Sequence, residues 1–271
     1  MRQVCFQLSN TVHSLLPSDL DGTNLPVVGT PNLLARITTS SALQFWQFAV
    51  NWVTPLNSKL TGPTTLAVAG YTQTCGGGDC VPQPGTSQQL DSLADRAMYR
   101  FAYRTFGDHE SWVLNHSVAT SIVRNKAVGS AIRWYELRRS PVPPGTLPPT
   151  PAVYQQGTYA PDSSYRWMGS IAQDKAGDIL VGYSVSGSSV FPSIRIAGRD
   201  NSLAIGTLGA ESTIQAGGGS QTSGLNRWGD YSAMSVDPVD DCTFYYTNQY
   251  QKANGTFNWS TRIGRFKFPG C

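Results

Sequence analysis

Three arginines recur along the 271-residue chain in similar surroundings. Arg96, Arg166 and Arg227 lie 70 and 61 residues apart, and Trp167 and Trp228 directly follow the last two. Guanidiniums brought to one place hold a carboxylate, phosphate or sulfate by forked hydrogen bonds. Their neighbours suggest what could be done to such an anion. Tyr231 beside Asp230 could act as a nucleophile backed by an acid, with Asp95 or Asp162 as a separate proton donor, which is glycoside-hydrolysis chemistry. His116 could serve as a general base or proton shuttle. Asp95, Asn115, Asp162, Asp230 and Asn248 form a second set, of hard oxygen ligands. Calcium takes six to eight such oxygens, and a bound metal would polarise an ester or phosphoester. A plainer alternative stays open: Arg96 pairs with Asp95, Arg227 with Asp230, and the tryptophans wedge neighbouring units together.

Convergence of the arginines depends on the segments they open. The stretch 226–250, NRWGDYSAMSVDPVDDCTFYYTNQY, reads as strand, Pro-containing acidic turn, strand. It recurs upstream at 165–184, where Asp174 and Asp178 bracket the turn as Asp237 and Asp241 do in the later copy. It recurs again at 95–115, where Arg104 and Asp108 take those places. Self-similarity at such a period is the mark of a radial or solenoid repeat. More strand-like sequence follows each copy, at 131–138, 190–198, 212–216 and 257–268. The segments 32–52 and 64–72 read as an earlier unit without the arginine, and the aromatic, β-branched run 41–53 is strand rather than helix. The expected fold is therefore an all-β propeller of about four four-stranded blades. One domain spans 1–271, with an atypical first blade over 1–84 and repeated blades at 85–140, 152–200 and 210–271. In such a ring Arg96, Arg166 and Arg227 come to one face, with Asn115, His116, Ser184 and Asn248. The turns with Asp108, His109, Glu110, Asp174 and 237–241 go to the other face.

Composition narrows the classes of function. Charged residues are only 14%, while glycine (27) and proline (17) are plentiful, which suits a loop-rich extracellular β protein. A net charge of +3 with dispersed basic residues argues against nucleic acid as a partner. No apolar run reaches the length of a transmembrane helix. Cys75 and Cys80 flank a short glycine loop and are expected to pair, as are Cys242 and the final Cys271, leaving Cys5 over. No Gly-x-Ser-x-Gly elbow is present, which speaks against a serine hydrolase. Gly217-Gly218-Gly219-Ser220 lacks the lysine of a phosphate loop. The proline-rich stretch 141–151 reads as an extended connector. Sequons stand at Asn115, Asn254 and Asn258. The start, MRQVCFQLSN, has no apolar leader, which suggests a removed leader or a chain cut from a longer one.

The stretches 91–118, 154–187 and 226–250 resemble the C-terminal blades of bacterial secreted sialidase-like propellers with BNR repeats. The turn SVDPVDD is similar to an Asp-box, with Asp240 in place of the usual glycine and Phe244 or Tyr245 in place of the tryptophan. The resemblance implies a secreted or periplasmic protein acting on an anionic small molecule or glycan at the channel mouth. On that reading Arg96, Arg166, Arg227, Trp167 and Trp228 bind substrate, and Asp95, His116, Asp230 and Tyr231 catalyse. Sialidase-like glycoside hydrolysis is the first expectation and calcium-dependent ester or phosphoester hydrolysis the second. A non-catalytic carbohydrate- or surface-binding propeller is the third. An open ring would expose a sheet edge and could be completed by self-association.

Overall fold

The computed structural model describes residues 3–38 and 40–271, and within them the fold is all-β. Its strands are β1 (Leu16–Leu20), β2 (Asn32–Ile37), β3 (Ala42–Ala49), β4 (Lys59–Ala67), β5 (Asp79–Val81), β6 (Leu90–Asp91), β7 (Phe101–Thr105), β8 (Glu110–Val118), β9 (Ser121–Val123), β10 (Lys126–Val128), β11 (Ala131–Arg139), β12 (Ala152–Tyr159), β13 (Tyr165–Gln173), β14 (Ile179–Ser186), β15 (Ser193–Arg199), β16 (Ser212–Gln215), β17 (Ala233–Val236), β18 (Phe244–Gln251) and β19 (Trp259–Phe266). The chain builds four antiparallel meanders in succession: β1–β4, then β7-β8-β11-β12, then β13–β16, then β17–β19. The first two are fused into one curled eight-stranded sheet, because β1 and β7, the leading strands of each meander, pair in parallel. The other two stand as separate sheets of four and three strands.

Sequence patterning accounts for these layers. In β8, β13 and β14 nearly every residue is buried, on both faces of the sheet. A strand covered on both sides reads as a near-continuous apolar and small-residue run rather than an alternating one. The strand β4 is the opposite case, exposed along most of its length with Pro63 near its middle. It is the edge of the large sheet, and a proline there blocks pairing with a further strand. Sheets three and four meet where Gly182 of β14 lies under the Tyr246 ring; an added Cβ would stand 2.4 Å from that ring. Their shared core contains Ile171, Leu180, Tyr183, Met234, Phe244 and Tyr246, joined by Val113, Ile132 and Trp134 of the large sheet.

The acidic turns tie the meanders together at one end of the molecule. Arg104 of β7 forks onto Asp241 at 2.7 Å through each of two nitrogens and donates to the Gln173 carbonyl. Asp174 accepts the Ala176 and Asp178 amides on one oxygen. Burial, reinforced by the charge of Asp178, raises its pKa to about 6. Arg100, also buried, spans Asp19, Asp21 and the Met234 carbonyl, so it joins the first, second and fourth meanders.

Both expected disulfides, Cys75–Cys80 and Cys242–Cys271, are formed, and Cys5 is free and exposed. No helix of the described residues is long and apolar enough to cross a membrane. The segment expected as two strands over 257–268 is the single strand β19, and β4 begins earlier than the run 64–72 suggests.

Candidate functional site

The segments that open the repeats do meet, but through their apolar residues. Met98, Trp167, Met168 and Trp228 form one buried cluster with Val81, Leu90 and Leu93 from the loop that precedes β7. The two indoles lie 6.1 Å apart. Filling that space, the 73–93 loop acts as a cap. Its own ring is closed by Cys75–Cys80. Gln83 exchanges two hydrogen bonds with the Gln221 backbone, at 3.0 and 2.8 Å. Ser186 and Ser220 donate to the carbonyls of Pro82 and Pro84, each at 2.7 Å. The Asp91 amide donates to the Asn226 carbonyl. The cap is thereby pinned to sheets three and four. Where the sequence suggested an open anion-binding mouth walled by Trp167 and Trp228, both indoles are sealed beneath this cap.

Nor do the three guanidiniums share a pocket. Arg166 has no exposed side-chain surface. Its Nε and Nη2 fork onto Glu211 at 3.0 and 2.8 Å, and its Nη1 donates to Asp162 and to the Ser164 carbonyl, both at 2.9 Å. Tyr183 donates to the same Glu211 carboxylate, and Arg195 binds it as well. Burial alone would drain the Arg166 charge. The Glu211 and Asp162 carboxylates outweigh that and hold its pKa above the ordinary value. The Arg166 hydrogen bond in turn holds Asp162 well below the usual carboxylate range. Arg96 forks onto Asp95 at 2.8 and 2.9 Å. That bond, with the Tyr231 hydroxyl beside it, raises the Arg96 pKa. Arg227 is the exposed one, paired with Asp230 and 3.6 Å from Asp91. The pairs Arg96–Asp95 and Arg227–Asp230 are those the plainer alternative named.

The proposed calcium ligands do not assemble either. Asp95, Asp162 and Asp230 are each bound to a different arginine. Asn248 donates to the Ser184 and Tyr246 hydroxyls at 3.0 and 2.8 Å. Asn115 is fully buried, its amide pressed against Gly169, where an added Cβ would come within 2.6 Å. Its sequon is therefore closed to glycosylation in the folded chain. No group of three or more His, Cys, Asp or Glu side chains among the described residues is arranged to hold a metal. These residues do not fit a calcium centre.

His116 lies in the core of the large sheet. Its ring stacks on Tyr135 and meets Tyr71 edge-on at 4.6 Å, and Nε2 shares a 2.9 Å hydrogen bond with the Tyr135 hydroxyl. Burial first, then the nearby Arg133 charge, lowers its pKa to about 3. A ring this weakly basic and out of reach of any substrate is no general base. His116 is a packing residue.

One place does combine the remaining candidates with open surface. A groove of about 460 Å³ on the fourth sheet is lined by Arg227, Asp230, Tyr231, Gln249, Phe257 and Trp259, with Trp228 and Gln221 in its wall. Tyr231 leads into β17, Gln249 lies on β18 and Trp259 opens β19 opposite Gln251. The turn before β19 and the cap-pinned segment before β17 thus form the two banks. Gln221, held by the cap, shapes one bank by donating to the Leu225 and Arg227 carbonyls at 2.9 and 2.6 Å. Tyr231, Phe257 and Trp259 are 52%, 71% and 49% exposed, although folding usually hides such rings. Phe257 also has a backbone φ of 53°, unusual for an aromatic residue. On its other side Tyr231 lines a smaller cleft with Leu16, Ala97 and Tyr99.

Sequence reasoning selected Arg227, Trp228, Asp230 and Tyr231 and missed Gln221, Gln249, Phe257 and Trp259. The signal for the last two was present. A Phe and a Trp in the polar turn NGTFNWS have no core to enter and so mark exposed surface. Glu211 was also missed as the partner of Arg166, because its carboxylate arrives from 45 residues downstream. No family model matches the chain, and no curated protein or solved structure matches it.

Proposed function

We propose that the four meanders are blades of a propeller-like fold and that the chain is a glycan-binding module, with the groove on the fourth sheet as its binding surface. The observation that carries the reading is the grouping of three solvent-exposed aromatic rings with an amide, a carboxylate and a guanidinium in one shallow groove. A sugar ring offers an apolar C–H face and an equatorial fringe of hydroxyls. Aromatic rings match the face, and planar polar side chains match the fringe. Arg227, 58% exposed, gives the groove a cation that would favour a carboxylate- or sulfate-bearing sugar. The two disulfides are compatible with extracellular work.

A hydrolytic second reading rests on Tyr231 and Asp230 sharing that groove, with Arg96 beside the tyrosine hydroxyl. It keeps the sialidase-like chemistry suggested by the resemblance, with one exposed arginine in the groove in place of three.

A glycan array followed by calorimetric titration of the best ligand tests both readings. The expected result is binding that Trp259→Ala weakens at least tenfold with the circular dichroism spectrum unchanged. Unaltered affinity in that variant, or no glycan bound at millimolar concentration, would remove the groove as the site. Product released from the bound glycan by the wild-type chain and not by Tyr231→Phe would move the conclusion to the hydrolase.

A further inference from the structure

The groove lies at one end of the sheets; the opposite end of the large sheet carries a different surface. Strand directions fix which loops gather there. In the first meander β1 runs toward that end, so the β1–β2 loop (21–31) and the β3–β4 loop (50–58) both emerge from it. In the second, β7 runs parallel to β1, so the β7–β8 turn and the β11–β12 loop (140–151) emerge there too. A hydrogen bond from Gln47 to the Pro148 carbonyl ties the proline-rich loop to β3. Three loops distant in sequence therefore share one rim.

That rim is apolar to a degree a solvated surface does not need. Trp52, Val53 and Leu56 are 87%, 88% and 77% exposed on the 50–58 loop. Leu25 and Val28 on the first loop are 78% and 85% exposed, and Leu147 on the third is 63% exposed. From Ile37 to Ser58 the chain has no charged residue, and 140–151 has none. The one charge in 21–31, Asp21, is bound to Arg100. Asp108 in the β7–β8 turn is an exposed carboxylate, hydrogen-bonded to His109 at 2.7 Å.

We propose that this rim docks on a lipid bilayer surface, with Trp52, Val53 and Leu56 entering the interfacial layer. Three observations select a bilayer over other occupants. First, the side chains are almost wholly exposed and stand out from the sheet, so they form a projecting edge rather than a groove that could receive a peptide or helix. A soft, fluid medium is what such an edge can enter. Second, four amides of the 50–58 loop are already bonded within the loop. The Asn51 amide donates to the Ser58 hydroxyl, the Thr54 amide to the Asn51 side chain, and the Asn57 and Ser58 amides to the carbonyls of Thr54 and Pro55. Each amide bonded within the loop lowers the cost of moving its backbone from water into the partly hydrated interfacial layer. Third, the charges match a headgroup layer. The uncharged tip ends at exposed Lys59, paired in register with Ala49 at the foot of the loop. An apolar tip carrying a Trp, with a cation set behind it, places the indole at the interface and the ammonium among phosphates. The acidic turns under the smaller sheets and Asp108 give anionic lipid no general advantage, so the surface selected is a zwitterionic one.

Co-sedimentation of the full chain with phosphatidylcholine vesicles tests the proposal. The wild type is expected to pellet with vesicles. The variant Trp52→Ser/Leu56→Ser, changed only at exposed positions, is expected to lose at least tenfold in bound fraction while its near-ultraviolet circular dichroism stays the same. Brominated lipid should quench wild-type tryptophan fluorescence and leave that of the variant unchanged. Absence of pelleting by the wild type, or equal pelleting by wild type and variant, would overturn the proposal. Dependence on added anionic lipid would overturn the zwitterionic assignment. A concentration-dependent dimer in sedimentation velocity that the variant abolishes, without vesicle binding, would assign the rim to a second copy of the chain instead. None of these outcomes depends on glycan binding at the other end.

Discussion

Arg166 and Arg227 stand at the same place in two successive repeats, each followed by a tryptophan, and the fold treats them oppositely. Arg166 is sealed among Glu211, Asp162 and Ser164, with every nitrogen of its fork bonded. Arg227 keeps 58% of its side chain in solvent and faces a groove of exposed rings. The tryptophans behave alike, both buried in the cluster under the cap. A repeated dipeptide thus fixes where the backbone goes and where the indole packs. It does not fix the role of the arginine, because that is decided by what lies beyond the repeat. The third sheet has a fourth strand, β16, and the segment just before it delivers Glu211; the fourth sheet ends at its third strand, β19, and offers no equivalent carboxylate.

Removing one partner of the buried pair is the largest test of that contrast. A lone buried charge left behind typically costs about 3–5 kcal/mol. Arg166→Ala leaves Glu211 to Arg195 and Tyr183, so the expected loss is smaller, about 2–3 kcal/mol in urea unfolding followed by circular dichroism. A loss below about 1 kcal/mol in the single variant would match a surface pair and erase the distinction from Arg227.

His116 sharpens the same division between packed and open candidates, with an effect of intermediate size. Its folded pKa, about 3, lies below the ordinary value of 6.5. As pH falls below 6.5 the unfolded chain takes up a proton that the folded chain refuses. The stability tied to neutral His116 is therefore whole above pH 6.5 and is lost progressively toward pH 3. By pH 5 the loss is about 2 kcal/mol. The difference in stability between wild type and His116→Gln, measured at pH 7 and pH 5, should change by that amount. An equal difference at the two pH values would mean that the ring is protonated in the folded chain and has access to water.

Much of the framework was legible in the sequence, for physical reasons. Acidic turns between alternating or β-branched runs can only be hairpins, and 165–184 and 226–250 are hairpins. The short glycine loop between Cys75 and Cys80, and the place of Cys242 on the last hairpin with Cys271 as the final residue, pointed to both disulfides. What could not be read was anything set by long-range pairing. The parallel contact of β1 with β7, which fuses two meanders, has no local signature because it forms between strands some eighty residues apart. The cap that fills the space beneath the repeats is a proline- and glycine-rich loop, indistinguishable in sequence from a connector. Candidate site residues fared by the same rule. Tyr231 and Asp230 were found because nothing downstream claims them. Arg166, Asn115 and His116 were misassigned because the groups that enclose them come from segments distant in sequence: Glu211 for Arg166, Gly169 for Asn115, and Tyr71 and Tyr135 for His116.

The smallest effect on the fold is expected at Arg227, and it bears most directly on function. Its contact with Asp230 is an exposed pair, and such pairs contribute roughly 0–1 kcal/mol. Arg227→Ala should therefore unfold within about 1 kcal/mol of wild type, while Arg166→Ala does not. Its consequence should appear in the ligand instead. If the groove takes a sugar bearing a carboxylate or sulfate, losing the guanidinium removes a charge-assisted hydrogen bond worth about 1.5–3 kcal/mol, or roughly tenfold or more in affinity. A neutral sugar of the same shape, held by Tyr231, Phe257 and Trp259, should bind the variant and the wild type alike. Calorimetry on an acidic and a neutral glycan with both proteins distinguishes these cases. Equal loss for the two ligands would mean that Arg227 only braces the groove wall, in which case it would share the structural role of Arg166 despite its exposure.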